Sequence, residues 1–170
     1  GIELLDEEDH DDDHHGGKDP HIWLDPTNAE KMVDDIVEAV VKADGKNEDF
    51  YRENAENYKK KLDELDKKFV ETFEKTEHHT IICGVHFAFG YFIKRYGLDY
   101  ISPYNGFTPN AEPSPKKITE LMDNMKRLGI NTIYYEELID PKVARVISEQ
   151  TGAKMLLLHG AHNISKEELE

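Results

Sequence analysis

The sequence predicts an α/β fold: a parallel sheet with helices on both faces, a three-layer lobe preceded by one long connecting helix. Three observations carry this. From Thr80 onward, short apolar runs rich in β-branched residues alternate with helical stretches. Each of those helices stops at a glycine, at Gly97, Gly129 and Gly152. Residues 47 to 75 hold one helical pattern with no Gly or Pro inside it.

The elements follow in order. Asp25-Pro26 reads as an N-cap and first helical position, and Met32, Ile36 and Val40, flanked by Val33, Val37 and Val41, continue it as an apolar stripe ended by Gly45. Asn47 then caps a second helix with apolar positions Tyr51, Ala55, Tyr58, Leu62, Leu65, Phe69 and Phe73. That near-heptad spacing gives a thin seam on a helix roughly 40 Å long, a strut more than a core element. Thr80 to Val85 reads as a strand ending at His86, and Phe87 to Tyr96 as a helix. Leu98 to Ser102 is a second strand, followed by a loop from Pro103 to Pro113. Ser114-Pro115 starts a helix that runs to Leu128. Asn131 to Tyr135 is a third strand, Asp140-Pro141 starts the last helix, and Met155 to Leu158 is a fourth strand ending at His159.

Composition narrows the function. The 170 residues carry a formal net charge of −15. Nucleic acid and anionic membranes need basic faces, so neither suits this chain, whereas cations do. The single cysteine, Cys83, allows no internal disulfide and no cysteine zinc finger. No apolar run approaches the ~20 residues of a membrane span. No signal peptide is present, and the chain opens beside a strongly acidic run, which reads as a fragment or a processed form.

That run, Asp6 to His15, consists entirely of Asp, Glu and His. It reads as a solvated tail or as a metal collector, since His10, His14 and His15 are interleaved with carboxylates and offer many weak, exchangeable ligand sets. His21 stands apart from it, in an ordered setting of Asp19, Pro20, Trp23 and Pro26. It reads as a metal ligand or as an imidazole packed beside a tryptophan. Open parallel sheets gather ligands beyond the carboxyl ends of their strands. His86 and His159 stand at such ends, with Glu136 and Glu137 after the third strand. Imidazole and carboxylate groups on one rim suit a borderline metal such as Zn²⁺. No G-x-S-x-G, H-E-x-x-H or phosphate-binding glycine loop occurs. Glu112, among Pro109, Pro113 and Pro115, reads as part of a stiff loop.

Three stretches, "DPHIWLDP", "HFAFGYFIKRYGL" and "AEPSPKKI", resemble, in this order, the zinc-type substrate-binding proteins of ABC transporters, the ZnuA-like receptors of solute-binding protein family 9. The resemblance runs from Asp19 to about Leu158. It implies an extracytoplasmic receptor, periplasmic or at the cell surface, with two α/β lobes joined by a long helix and the metal between them. It implies no enzymatic activity, and it implies a membrane permease as partner. On it, residues 1–18 are a mobile His- and acid-rich loop, 19–45 the tail of the N-terminal lobe, 46–76 the connecting helix and 77–170 the C-terminal lobe. His21 and His86 take the positions of family metal ligands. Histidine at 86, where manganese-type members usually carry Glu, points to Zn²⁺ over Mn²⁺. The family's last ligand is acidic, and "LLLHGAHN" places His159 there instead, so His159, His162 or water would complete the set. Glu136 stands behind them as a supporting carboxylate.

Two rival readings use the same residues. In the first, a zinc hydrolase employs His86 and His159 as ligands and Glu136 as general base. In the second, a metal-independent module pairs its strut helix with another chain. A seam left bare by a missing lobe would also favour a homo-oligomer of the fragment.

Overall fold

The structure is a computed structural model, and it describes residues 1–6, 17–85, 88–104, 113–137 and 140–161. The chain begins with an extended segment and a short 3-10 turn, Ile22–Leu24. Helix α1 spans Pro26–Ala43 and α2 spans Glu48–Phe73, with a 3-10 turn between them. Strand β1 (Thr80–Ile82), α3 (Gly90–Tyr96), β2 (Asp99–Ile101), α4 (Pro115–Leu128), β3 (Thr132–Tyr135), α5 (Lys142–Thr151) and β4 (Lys154–Leu157) follow.

The helix starts show how local chemistry sets these bounds. Asp25 caps α1 by accepting from the Thr27 N–H and the Thr27 hydroxyl, both at 2.8 Å, with Pro26 at the first helical position. Such a cap is worth ~1 kcal/mol. Ser114 caps α4 through the Lys117 N–H, again with a proline behind it. The last helix starts directly after Asp140-Pro141. Pro141 itself is the N-cap of α5, and Asp140 is drawn into an ion pair with Arg145 at 3.1 Å. Gly97, Gly129 and Gly152 close their helices in the left-handed conformation (φ 64 to 74°), which costs glycine no Cβ clash.

The strands form two parallel ladders, β1–β2 and β3–β4. They meet just past β1, where Cys83 bridges Tyr134 and the Gly84 N–H donates to the Tyr134 carbonyl at 2.9 Å. The spatial order is therefore β2, β1, β3, β4, all parallel, and the order in which strands are added reverses between β1 and β3. The strands are shorter than the apolar runs because backbone pairing stops before the side-chain pattern does.

Side-chain alternation divides the core into two layers, as period-two geometry requires. Ile82 and Ile133 face α4 and α5, packing with Leu121, Met125, Ala144 and Ile147. Cys83, Ile81, Tyr100 and Tyr134 face the opposite way, onto Phe89 and Phe92 beside and within α3 and onto Phe69 and Phe73 at the end of α2. Full burial of one such aliphatic or aromatic side chain contributes about 1.5–3 kcal/mol. Helices thus cover both faces of the sheet, as the alternation of elements predicts.

The two long helices pack on each other and less on anything else. Their mutual contact buries Val37 and Leu62, while Ile36, Tyr58 and Leu65 stay exposed. The stripe on α1 is therefore split: Val37 is buried, and Ile36 and Val40 are exposed. The seam on α2 divides differently. Its first half meets α1, and Phe69 and Phe73 stack on Phe92 and Tyr96. Asp66 locks that second contact, accepting two hydrogen bonds from Arg95 (3.1 and 2.7 Å) and one from the Tyr96 hydroxyl (2.8 Å). The Arg95 guanidinium holds the Asp66 carboxyl below its usual range.

Candidate metal centre

The order of strands reverses between β1 and β3, and the carboxyl ends of strands beside such a reversal are the place where open α/β sheets collect ligands. Gly84 and Val85 lead out of β1 there, Glu136 and Glu137 out of β3, and His159 and Gly160 out of β4. The segment before α1 lies across this rim. Trp23 donates its indole N–H to the Gly160 carbonyl at 3.1 Å, and Gly160 in turn donates its N–H to Glu137 Oε2 at 3.1 Å. The His21 ring sits edge-on to Trp23 with centroids 5.5 Å apart.

His21 is aimed by Asp19. One carboxylate oxygen, Asp19 Oδ1, accepts from the His21 backbone N–H at 2.9 Å and lies 2.7 Å from ring Nδ1. A carboxylate facing Nδ1 favours the proton on that nitrogen and so makes Nε2 the ring's basic nitrogen. This is the carboxylate–histidine–metal pattern that supports ligand imidazoles in metal sites. Asp19 is 2% exposed, and its other oxygen, Oδ2, accepts no hydrogen bond among the described residues. Sequence reasoning placed Asp19 only as part of an ordered setting. The signal for its role is the spacing itself, because an Asp two residues before the next ordered N–H forms a local side-chain turn.

His159 is held differently. Its Nδ1 accepts the Ala161 N–H at 2.9 Å and lies 3.5 Å from Glu137 Oε1. That lone pair is committed to the backbone, so coordination through it needs the turn to shift. Glu137, which the sequence marked only as following the third strand, is the carboxylate beside this turn. It touches both Gly160 and His159.

Glu136 is buried behind these groups, at 2% exposure. Burial, with the neighbouring Glu137 charge adding to it, pushes its carboxyl up to about 7, while the His21 imidazole pulls the other way. A cation at the rim would favour its ionised form. Cys83 lies in the core, and burial, with the Glu136 charge, raises its thiol well above the ordinary range, so it behaves as a packing residue.

Of the sequence candidates, His21, His159 and Glu136 are thus brought to one end of the sheet. His86, the collecting residues His10, His14 and His15, and also Glu112 and His162, lie outside the described residues. Among the described residues no three His, Cys, Asp or Glu side chains converge tightly enough to hold a metal ion.

The sequence matches the family profile "Zinc-uptake complex component A periplasmic" over residues 1–169. The chain belongs to that family. Within the zinc-uptake component A family it is 39% identical over 150 residues to the high-affinity zinc uptake system protein ZnuA of Bacillus subtilis, covering 88% of this chain and 46% of that one. It is 32% identical to the zinc-binding lipoprotein AdcA of Streptococcus pneumoniae, covering 95% of this chain and 32% of that protein. The chain therefore spans about half, or less, of the relatives it matches. Its fold is similar to the metal-dependent lipoprotein YcdH of Bacillus subtilis (TM-score 0.79, 37% identity, 99% of this chain and 60% of that one). It is also similar to a Zn(II)-bound variant of AdcAII from Streptococcus pneumoniae (TM-score 0.77, 31% identity, 99% and 65%).

Proposed function

We propose that this chain is the metal-facing part of an extracytoplasmic receptor that captures Zn²⁺ and passes it to the membrane permease of an ABC transporter. The observation that carries the proposal is the Asp19–His21 pair, a buried carboxylate fixing an imidazole at the sheet's ligand-binding rim. Relatives named for zinc uptake and zinc binding, one of them a lipoprotein, support the cargo and the compartment. None of the described helices is long and apolar enough to cross a membrane.

In this reading His21 and His86 donate neutral imidazoles, and Glu137, ahead of His159, supplies a further donor from the β3–β4 side. The function is capture and release with no covalent chemistry. Neither the hydrolase nor the metal-independent module is favoured, because membership of a zinc-uptake family accounts for the same residues without a reaction. Imidazole ligands must be neutral to bind, so zinc affinity falls as pH drops through the histidine range. The residues 1–18 act as an auxiliary collector through His10, His14 and His15, and imidazole at position 86 favours Zn²⁺ over the harder Mn²⁺.

The test is calorimetric Zn²⁺ titration of the full-length protein carrying glutamine at His10, His14 and His15, with and without His86→Ala. We expect the high-affinity site to weaken by about 10-fold or more on loss of the imidazole. Unchanged affinity would make His86 a packing residue and defeat the assignment.

A further inference from the structure

Asp19 owes its position to contacts that neither the motif nor the family name explains. Asp6 and Lys18 form an antiparallel bridge and an ion pair, which closes the chain on either side of residues 7–16. At the next pair inward, the Asp19 N–H donates to the Leu5 carbonyl at 3.0 Å. The return bond of that ladder step is not direct. The Leu5 N–H donates to the Tyr91 hydroxyl at 3.0 Å, and the same hydroxyl donates to the Asp19 carbonyl at 3.0 Å. Tyr91, only 3% exposed, is therefore built into the ladder as a relay and fixes the Asp19 backbone from both sides.

The residue before it controls the Asp19 side chain. A Cβ added to Gly90 would lie 2.6 Å from Asp19 Oδ2 and 3.7 Å from Leu5 Cδ1. Gly90 opens α3 without a positive φ, so the need there is for space and not for an unusual backbone. Asp19 has a short side chain, and its other oxygen is held by both His21 nitrogens. It cannot move away from an added methyl group without releasing His21.

We propose that Gly90 and Tyr91, in the first turn of α3, are the positioning residues that seat Asp19 and so aim the Nε2 atom of His21 at the metal. The inference rests on the zinc-receptor reading for the metal, but its geometric half concerns the metal-free protein. Neither residue touches the cation. Tyr91 sets where the Asp19 backbone lies, and Gly90 sets how far its carboxylate can approach α3.

Tyr91→Phe keeps the ring and removes only the relay, and Gly90→Ala adds only the obstructing methyl. Both are made in the full-length protein with glutamine at His10, His14 and His15. Nitrogen-15 chemical shifts of the His21 ring report its tautomer in the metal-free state, and calorimetry gives the Zn²⁺ affinity. Each variant is expected to lower the share of the Nδ1-protonated tautomer and to raise the Zn²⁺ Kd by about 10-fold, as loss of outer-shell support does. A folded variant with parental tautomer shifts and parental Kd, whatever its melting temperature, overturns the proposal. Failure of both variants to fold would overturn it too, because the fold and not His21 would then require these residues. If the parent binds no Zn²⁺, the zinc reading fails, while the tautomer comparison still decides the positioning.

Discussion

The segment around His21 and the turn around His159 each bring an imidazole to a carboxylate, with opposite results. At His21 the carboxylate is 2.7 Å from Nδ1, is nearly inaccessible and also holds the backbone N–H, so one tautomer is selected. At His159 the carboxylate is 3.5 Å away, the ring is about a third exposed, and Nδ1 is occupied by the Ala161 N–H. Two histidines on one rim are therefore held in different ways. What separates the two is the group behind the ring and whether it fixes a proton on the inner nitrogen.

The comparison can be broken from the His21 side. Asp19→Asn keeps the shape of the side chain and loses its charge, which makes His21 resemble His159. It should raise the Zn²⁺ Kd about 10- to 100-fold, read by competition with a zinc chelator. An affinity unchanged from the parent would mean that Asp19 is only a fold element.

A second variant disturbs the sheet end that both segments share. A Cβ on Gly84 would fall 2.6 Å from Ala144 Cβ and 2.9 Å from its Cα, where α5 presses on the exit of β1. Backbone cannot yield as a side-chain tip does, so Gly84→Ala should destabilise by about 1–3 kcal/mol in urea unfolding. A cost near zero would show that α5 moves freely against the sheet.

The His159 side can be sharpened. Ala161 has φ 53°, in the left-handed region that favours glycine. Ala161→Gly should stabilise by up to ~1 kcal/mol and leave Zn²⁺ binding unchanged, in keeping with a turn that shapes the rim without coordinating. A large loss of affinity would instead assign the turn to the site.

A pH-dependent effect concerns Glu136, with its carboxyl raised to about 7. The folded state holds that proton more tightly than the unfolded chain. Its contribution therefore favours the fold below the ordinary carboxyl range and is lost as pH rises towards and through 7. Glu136→Gln mimics the protonated form at every pH. It should raise the melting temperature of metal-free protein at pH 8 and change it little at pH 5. Equal effects at both pH values would contradict the buried-charge account.

Much of this was legible in the sequence, for reasons that differ by element. Asp25-Pro26, Ser114-Pro115 and the closing glycines are local devices, so the bounds of α1 and α4 follow directly from them. Asp140-Pro141 has the same letters as the start of α1, yet there the carboxylate pairs with Arg145 and Pro141 is the N-cap. Splitting of the α1 stripe could not be foreseen, because Val37 and Ile36 are equally apolar and only the position of α2 distinguishes them. The rim was readable from strand ends, which put His159 and Glu136 there together with His86, whereas His21 was assigned to the metal only by the family resemblance. Tyr91 was invisible: its hydroxyl meets Leu5 and Asp19 across long stretches of chain, and nothing in its neighbours marks a buried relay.

The most direct test of the account compares the two histidines themselves. Zn²⁺ titration calorimetry on the full-length protein, with glutamine at His10, His14 and His15, should be run on His21→Ala and His159→Ala side by side. The account predicts that His21→Ala weakens the high-affinity site by about 10-fold or more, as loss of a preorganised ligand implies, while His159→Ala stays close to the parent. Equal losses in both, or a loss confined to His159→Ala, would contradict it.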